Sequence, residues 1–359
     1  MDLVDILLEV LERDASDLHL SVGAPPIVRV NGVLERLDYP RLGANDTREL
    51  IYSILSQDQR QRLENEWEMD FSYSVPGRAR FRVNAYFQRN SLGAAFRLIP
   101  IQIRKLEELG LPKALHNLTK MPRGFVVVTG PTGCGKSTTL SAMIDEINEV
   151  REEHIMTIED PIEFLHRHKK CMINQREVGA DTKSFNRALK SVLRQDPDVI
   201  LVGEMRDTET MATALTAAET GHLVFATLHT QDAPQTIDRI IDVFPPHQQE
   251  QIRVQLSTTL VGVCTQQLLP TRDGRGRVVA CELLIPTPAV RNLIREGKTH
   301  QIYSVMQTGN RYGMVTMDAA LADLVRRGLI SRELAQRRSS TPDELNRLLG
   351  APAQAVKAG

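Results

Sequence analysis

"GFVVVTGPTGCGKSTTL", Gly124 to Leu140, is an apolar run that breaks into a glycine-rich turn and then into a helical pattern. Gly130, Gly135, Lys136 and Ser137 match the spacing G-x-x-x-x-G-K-[ST], and the context that motif requires is present, a strand before it and a helix after it. Glycines let backbone N–H groups wrap phosphates, and the N-terminus of the following helix adds partial positive charge. Lys136 is then placed to reach the β- and γ-phosphates of a nucleoside triphosphate, and the Ser137 hydroxyl to coordinate Mg²⁺. The candidate cradle is the whole loop: Gly130, Pro131, Thr132, Gly133, Cys134, Gly135, Lys136, Ser137 and Thr138. Cys134 stands between two glycines, where the loop lends mainly its backbone, so a small thiol is expected to do no chemistry. The competing reading is a reactive thiol whose pKa is lowered by the helix N-terminus and Lys136.

Outward from this loop, from about residue 112 on, apolar runs of four to six residues alternate with helical stretches, the pattern of a buried, mostly parallel sheet. The expected strands are "GFVVVTG", "HIMTIED", "PDVILVGE" and "HLVFATLH", with helices around 136–148, 184–194 and 208–220. In open α/β sheets ligands gather at the C-terminal strand ends. There "TIEDPIEF" delivers Glu159, Asp160 and Glu163, carboxylates suited to holding Mg²⁺ or orienting water. "DVILVGE" ends in Glu204, with Gly203 where such a strand commonly carries an aspartate, so Mg²⁺ handling and water activation fall to Glu204 and Glu163. "GHLVFATLHT" places Thr227 and His229 where a γ-phosphate would lie, and His222 at the strand's start. Beyond Pro246 the chain reads as mainly helical, interrupted by a hairpin with its turn at 272–277, and residues 346–359 read as a flexible tail.

Residues 1–100 read as a small α+β domain. A helix spans Val4 to Arg13, Asn31-Gly32 is a hairpin turn, and Asp46 and Ser56 are candidate helix caps. "ARFRVNAYFQRN" alternates, with Phe81, Val83, Ala85 and Phe87 on one face and Arg80, Arg82, Asn84 and Tyr86 on the other; its partner is "GAAFRLIP", ending at Pro100. That sheet has one cationic face, and 101–112 has the punctuation of an interdomain linker. At 359 residues two domains are expected. Lys plus Arg number 44 against 45 for Asp plus Glu, which disfavours a nucleic-acid coat. The four cysteines form no CxxC pair, so neither a zinc site nor a disulfide framework is expected. The opening "MDLVDILLEVLERD" fits neither a signal peptide nor a membrane span, and a cytoplasmic location follows as the expectation.

The motifs together resemble the secretion ATPases of type IV pili and type II secretion. The resemblance covers the phosphate loop, the acidic box "TIEDPIEF", the Walker B stretch "LRQDPDVILVGEMRD", the histidine box "TAAETGHLVFATLHT" and the N-terminal "ASDLHLS". "PAVRNLIREGK" is similar to the AIRNLIRE segment of the retraction branch, with Val290 in place of isoleucine. The resemblance implies a PAS-like N-terminal domain before a RecA-like P-loop core, six chains in a ring, and ATP completed by an arginine from the neighbouring subunit. Arg82 and Arg97 are the candidates for that arginine; an exposed basic strand face is the plain alternative for each. The same resemblance assigns Glu204 to Walker B, Glu163 to water activation, and His222 and His229 to the histidine box.

The function implied is a pilus retraction motor of twitching motility, peripheral at the inner face of the cytoplasmic membrane, acting on an inner-membrane platform protein, with a PilU-like paralogue as a further implied partner. Extension and type II secretion ATPases usually add an N-terminal region and a tetra-cysteine motif, which this sequence lacks. A RecA-like DNA translocase is the rival of another class, but aromatics make up only 4% of residues and no basic channel stands out. Val290, Leu293 and Ile294 also make an ordinary buried stripe, but the resemblance is to a segment that serves movement rather than ATP hydrolysis, so alanine at Leu293 and Ile294 is expected to spare much of the ATP turnover and abolish retraction.

Overall fold

The computed structural model describes residues 1–99 and 102–350. The chain divides into two units, Met1–Gln102 with Pro161–Leu165, and Ile103–Asp160 with His166–Gly359. Pro100, Ile101 and the end of the expected tail, 351–359, lie outside the described residues.

In the first unit α1 (Leu3–Glu12) is capped by Asp2, which accepts from Val4 N at 2.9 Å, and buries Leu3, Ile6, Leu7 and Val10 at helical spacing. Strands β1 (Asp17–Leu20), β2 (Ile27–Val30) and β3 (Val33–Arg36) follow, the last two joined through Asn31 and Gly32 at φ 49° and 86°. Helices α2 (Ala44–Tyr52) and α3 (Gln57–Glu66) come next. Ser56 caps α3 as expected, whereas Asp46 sits one turn into α2 and bonds back to Gly43 N at 2.7 Å. Strands β4 (Glu68–Val75), β5 (Ala79–Gln88) and β6 (Ser91–Ile99) complete an antiparallel sheet of order β3-β2-β1-β6-β5-β4. Phe81, Val83, Ala85 and Phe96 face a core shared with α1, while the opposite face carries the charged residues.

The second unit opens with a 3-10 helix (Leu106–Leu109) and α4 (Leu115–Thr119). The segment read as a linker is thus part of this unit from residue 103 onward: Leu106 is 4% exposed and packs with Leu140 and Ile144. Then come β7 (Gly124–Thr129), α5 (Lys136–Val150), β8 (His154–Glu159), β9 (Met172–Glu177), α6 (Phe185–Val192), β10 (Val199–Val202), α7 (Thr208–Glu219) and β11 (Leu223–Leu228). They are followed by α8 (Ala233–Asp242), α9 (Pro246–Thr259), β12 (Leu260–Pro270) and β13 (Arg277–Leu284). The order is β13-β12-β7-β11-β10-β8-β9, parallel except for β13, which pairs antiparallel with β12 at the edge. Successive strand residues feed opposite faces: Val127, Val224 and Ile200 pack with α7 and α8, and Val126, Phe225 and Leu201 with α5.

The chain ends in α10 (Pro288–Arg295), α11 (Ile302–Gln307), α12 (Met317–Arg326), α13 (Arg332–Arg338) and α14 (Pro342–Leu348). Residues 346–348, read as tail, are therefore helical, because Leu345 is buried in the core formed by Leu321, Ile330 and Ala335. β9, polar along "MINQRE" and lying at the edge beside β8, was not expected; β12 and β13 are the two strands of the expected hairpin, and β12 also joins the parallel sheet next to β7.

Candidate functional site

The phosphate loop leaves β7 near the middle of the sheet. Gly130, Gly133 and Gly135 have φ of 136°, 78° and 96°, the left-handed region that favours glycine. At Gly130 the need is also spatial, since a Cβ would lie 2.3 Å from Gln266 O and 2.7 Å from Cys134 Sγ. Lys136 begins α5 and its Nζ folds over the loop, donating to Gly130 O at 2.8 Å and Pro131 O at 3.2 Å. Cys134 is 3% exposed, and burial pushes its thiol up, outweighing the opposing pull of Lys136. The thiol is a packed side chain, as the first of the two readings held, because desolvation of a thiolate exceeds what a nearby ammonium returns.

Beside β7, the ends of β11 and β10 bring together two of the expected residues. His229 Nε2 and Glu204 Oε1 are 3.0 Å apart, and Arg206 donates to Glu204 Oε2 at 2.7 Å. The Arg206 hydrogen bond, helped by His229 and opposed by partial burial, holds the Glu204 carboxyl below its usual range. At Gly203 a Cβ would come within 3.1 Å of Ile158 O and 3.2 Å of Glu159 Cα, so an aspartate there would require the neighbouring backbone to give by a few tenths of an ångström. Thr227 donates to Gly203 O, tying β11 to the Walker B turn. Glu159 is drawn into the sheet by Thr157 Oγ1 at 2.6 Å and Gln175 Nε2 at 3.1 Å, while Asp160 is exposed. Glu163 is exposed within Pro161–Leu165, which groups with the first unit. His222 lies at the opposite end of β11 from His229, its Nδ1 2.9 Å from Ala217 O at the end of α7, which is a structural contact.

In the first unit the strand register lines up Arg29, Asp17, Arg97 and Arg82 in one row across four strands. Arg97 Nε donates to Asp17 Oδ1 at 2.8 Å, Arg29 lies 4.0 Å from the other oxygen, and Arg82 lies 4.0 Å from Asp70. Burial works against the Asp17 charge, but Ser16 and Arg97 outweigh it and hold the carboxyl below its usual value. Asp17 thus fixes the base of Arg97, whose side chain stays 74% exposed. Asp17 and Arg29 are functional candidates that strand alternation could have flagged, since both share the outward face with Arg82 and Arg97. Thr230, Gln266 and Glu282, described below, had no local signal.

In α10, Val290 and Ile294 are fully buried and Leu293 is partly buried against the main core, while Arg291 donates to Ser257 O and to Thr258 O at the end of α9. The apolar stripe of this helix is core, and its exposed face is Asn292, Arg295 and Glu296.

A parallel sheet with a glycine-rich phosphate loop on its central strand, and a carboxylate–imidazole pair on the adjoining strand ends, defines a P-loop ATP hydrolase. The family model for Type II/IV secretion system protein matches residues 2–337, and the chain belongs to that family. It is 53% identical over 96% of its length to the type IV pilus retraction ATPase PilT of Pseudomonas aeruginosa, covering 99% of that protein. It is 42% identical to the type IV pilus ATPase PilU of the same organism, over 97% of this chain and 91% of that one. A crystal structure of the pilus retraction motor PilT with bound ADP superposes with TM-score 0.91 at 52% identity, covering 97% of this chain and 99% of the other. The expected RecA-like class of core, preceded by an α+β domain, is the fold observed.

Proposed function

We propose that this chain is the ATP-hydrolysing motor of type IV pilus retraction, a homohexamer at the inner face of the cytoplasmic membrane that draws pilins from the fibre base during twitching motility. The observation that carries the reading is the Glu204–His229 pair, 3.0 Å apart, beside an intact phosphate loop, in a chain that aligns with a retraction ATPase along nearly the whole of both. Loop N–H groups and the start of α5 hold the phosphates, and Lys136 exchanges the carbonyls of Gly130 and Pro131 for β- and γ-phosphate oxygens.

Mg²⁺ fits the donors present. Oxygen ligands suit it, Ser137 makes no hydrogen bond through its hydroxyl among the described residues, and Glu204 offers a carboxylate. Among the described residues no cluster of three or more His, Cys, Asp or Glu could form an all-protein cage, in keeping with an ion held largely by phosphates and water. Ser137 and Glu204 would hold the ion, which supplies charge neutralisation of the phosphates when bound. Glu163 orients the attacking water, His229 reports the γ-phosphate to Glu204, and Arg82 and Arg97 reach a neighbouring subunit's nucleotide, Arg97 aimed by Asp17. Force passes to an inner-membrane platform protein, with a PilU-like paralogue as a second motor. Deleting the gene tests this reading: surplus pili that do not retract support it, whereas bald cells assign the chain to extension. Purified Glu204→Gln and Lys136→Ala proteins should lose ATP turnover.

A further inference from the structure

A chain of polar contacts runs from the strand under the phosphate loop to the C-terminal helices. Thr129, the last residue of β7, donates to Thr230 O at 2.8 Å and lies 2.7 Å from Thr230 Oγ1. Thr230 Oγ1 is in turn 2.7 Å from Thr236 Oγ1 in the first turn of α8. The start of α8 is thereby tied to the strand that carries the phosphate loop. Its other tie is Glu282 of β13, 1% exposed: Oε1 accepts from Ala233 N at 2.8 Å and Oε2 from Met317 N at 3.2 Å, the first residues of α8 and α12. Beyond it Asp318 accepts from Ser339 Oγ, from Thr341 N at 3.1 Å and from the Tyr303 hydroxyl at 3.0 Å. Those contacts place Arg337 to Ser340 across a cavity of about 520 Å³ from Pro131 to Cys134.

Among the described residues Glu282 makes no ion pair. The charged groups nearest it are Asp232 at the cap of α8 and Asp318 in α12, and the thiol of Cys281 precedes it on its own strand. A buried acid without a countercharge is costly, and an apolar side chain would pack β13 at less expense. What the acid adds is acceptance from two helix N-termini at once, both carrying partial positive charge. We infer that Glu282 is a positioning residue of the ATPase: by holding α8 and α12 on one carboxylate, it makes the C-terminal helices move with the phosphate-loop strand and the His229 loop. Burial pushes its carboxyl up to about 7, against the two N–H bonds and with Asp232 and Asp318 adding to the rise. Protonation near neutrality removes one acceptor and slackens the link.

The inference rests on the nucleotide-site reading above, and the test separates the two. Backbone hydrogen exchange of the full chain is followed with and without ADP and Mg²⁺. Nucleotide should slow exchange at 133–138, at 233–236 and at 317–320. In Glu282→Gln, whose amide cannot accept at both positions, slowing at 133–138 persists and slowing at 317–320 is lost. Its kcat falls about tenfold, the size of coupling a relay residue carries, while KM for ATP moves less than about twofold. Turnover of the native protein rises with pH through about 7, as the carboxylate forms, and the variant lacks that step. Retained slowing at 317–320 in the variant overturns the inference. So does native protein that slows at 133–138 alone, a result needing no variant to fold. Absence of slowing at 133–138 in native protein refutes the nucleotide site instead.

Discussion

Ile294→Ala separates what the α10 helix does by packing from what it does by contact. Ile294 is 0% exposed and sits in the main core, on a helix docked to α9 through Arg291. Truncating a buried isoleucine removes its transfer free energy and leaves a cavity, together about 2–5 kcal/mol. That is a large share of the roughly 5–15 kcal/mol by which a domain is stable. In a unit of this size each kcal/mol moves the melting temperature by about 2–4 °C, so a loss of about 3 kcal/mol lowers it by ~6–12 °C. Arg295 lies on the exposed face, and Arg295→Ala should change stability by no more than about 0.5 kcal/mol. The assay pairs thermal unfolding and ATP turnover of the purified variants with pilus retraction in cells. Ile294→Ala should melt early and lose turnover and retraction together, whereas Arg295→Ala should keep its melting point and turnover and lose retraction alone. An Ile294→Ala protein that melts within about 2 °C of native, hydrolyses ATP normally and fails only in retraction would refute the packing argument. It would restore the expectation drawn from the sequence, that Leu293 and Ile294 serve movement directly.

Gly130→Ala should weaken binding of a fluorescent ADP more than about tenfold, because its Cβ would be driven to 2.3 Å from Gln266 O; unchanged affinity would show that the loop can shift freely. Cys134, 3% exposed with its thiol pushed up by burial, should resist iodoacetamide at pH 7.5 until the protein unfolds, and Cys134→Ser should keep turnover within about twofold; rapid labelling of the native fold contradicts this. Glu282 has a folded pKa raised from 4.5 to about 7, so between those values the native state keeps a proton that the unfolded chain releases. Its contribution to stability therefore falls as pH rises from about 4.5 to 7, by on the order of 3 kcal/mol, and is flat above. The melting temperature of native protein minus that of Glu282→Gln should decline across this window; a constant difference would mean that the carboxyl is not held protonated by burial.

The outward face of β5 was legible because period-two alternation separates Arg80 and Arg82 from Phe81 and Val83 without any knowledge of the partner strand. The stripe in α10 was equally legible, yet its meaning was not: apolar residues at helical spacing look alike whether they fill a core or greet a partner, and only the packing against α9 decides. β9 escaped notice because an edge strand exposes one of its sides and so carries polar residues, which blur the apolar run that marks its buried neighbour β8. Gly203 looked like a departure from a motif, and the structure shows the tight setting it occupies, a Cβ there meeting Ile158 O at 3.1 Å and Glu159 Cα at 3.2 Å.

The phosphate loop, the four parallel strands leading to it and the acid and histidine boxes are local: each is set by spacing within a dozen residues, so the linear chain sufficed to determine them. The contacts that give those residues their working environment are not local. Glu204 meets His229 across 25 positions, Asp17 meets Arg97 across 80, and Gln266 lies under Gly130 on a strand formed far later in the chain. Glu282 shows the division most plainly. As one letter in "CELL" it is an acid in an apolar run; its role appears only once the fold brings two helix N-termini to the same carboxylate. Burial, register and hydrogen-bond partnership at long separation are properties of the folded chain, because they depend on which surfaces lose water together.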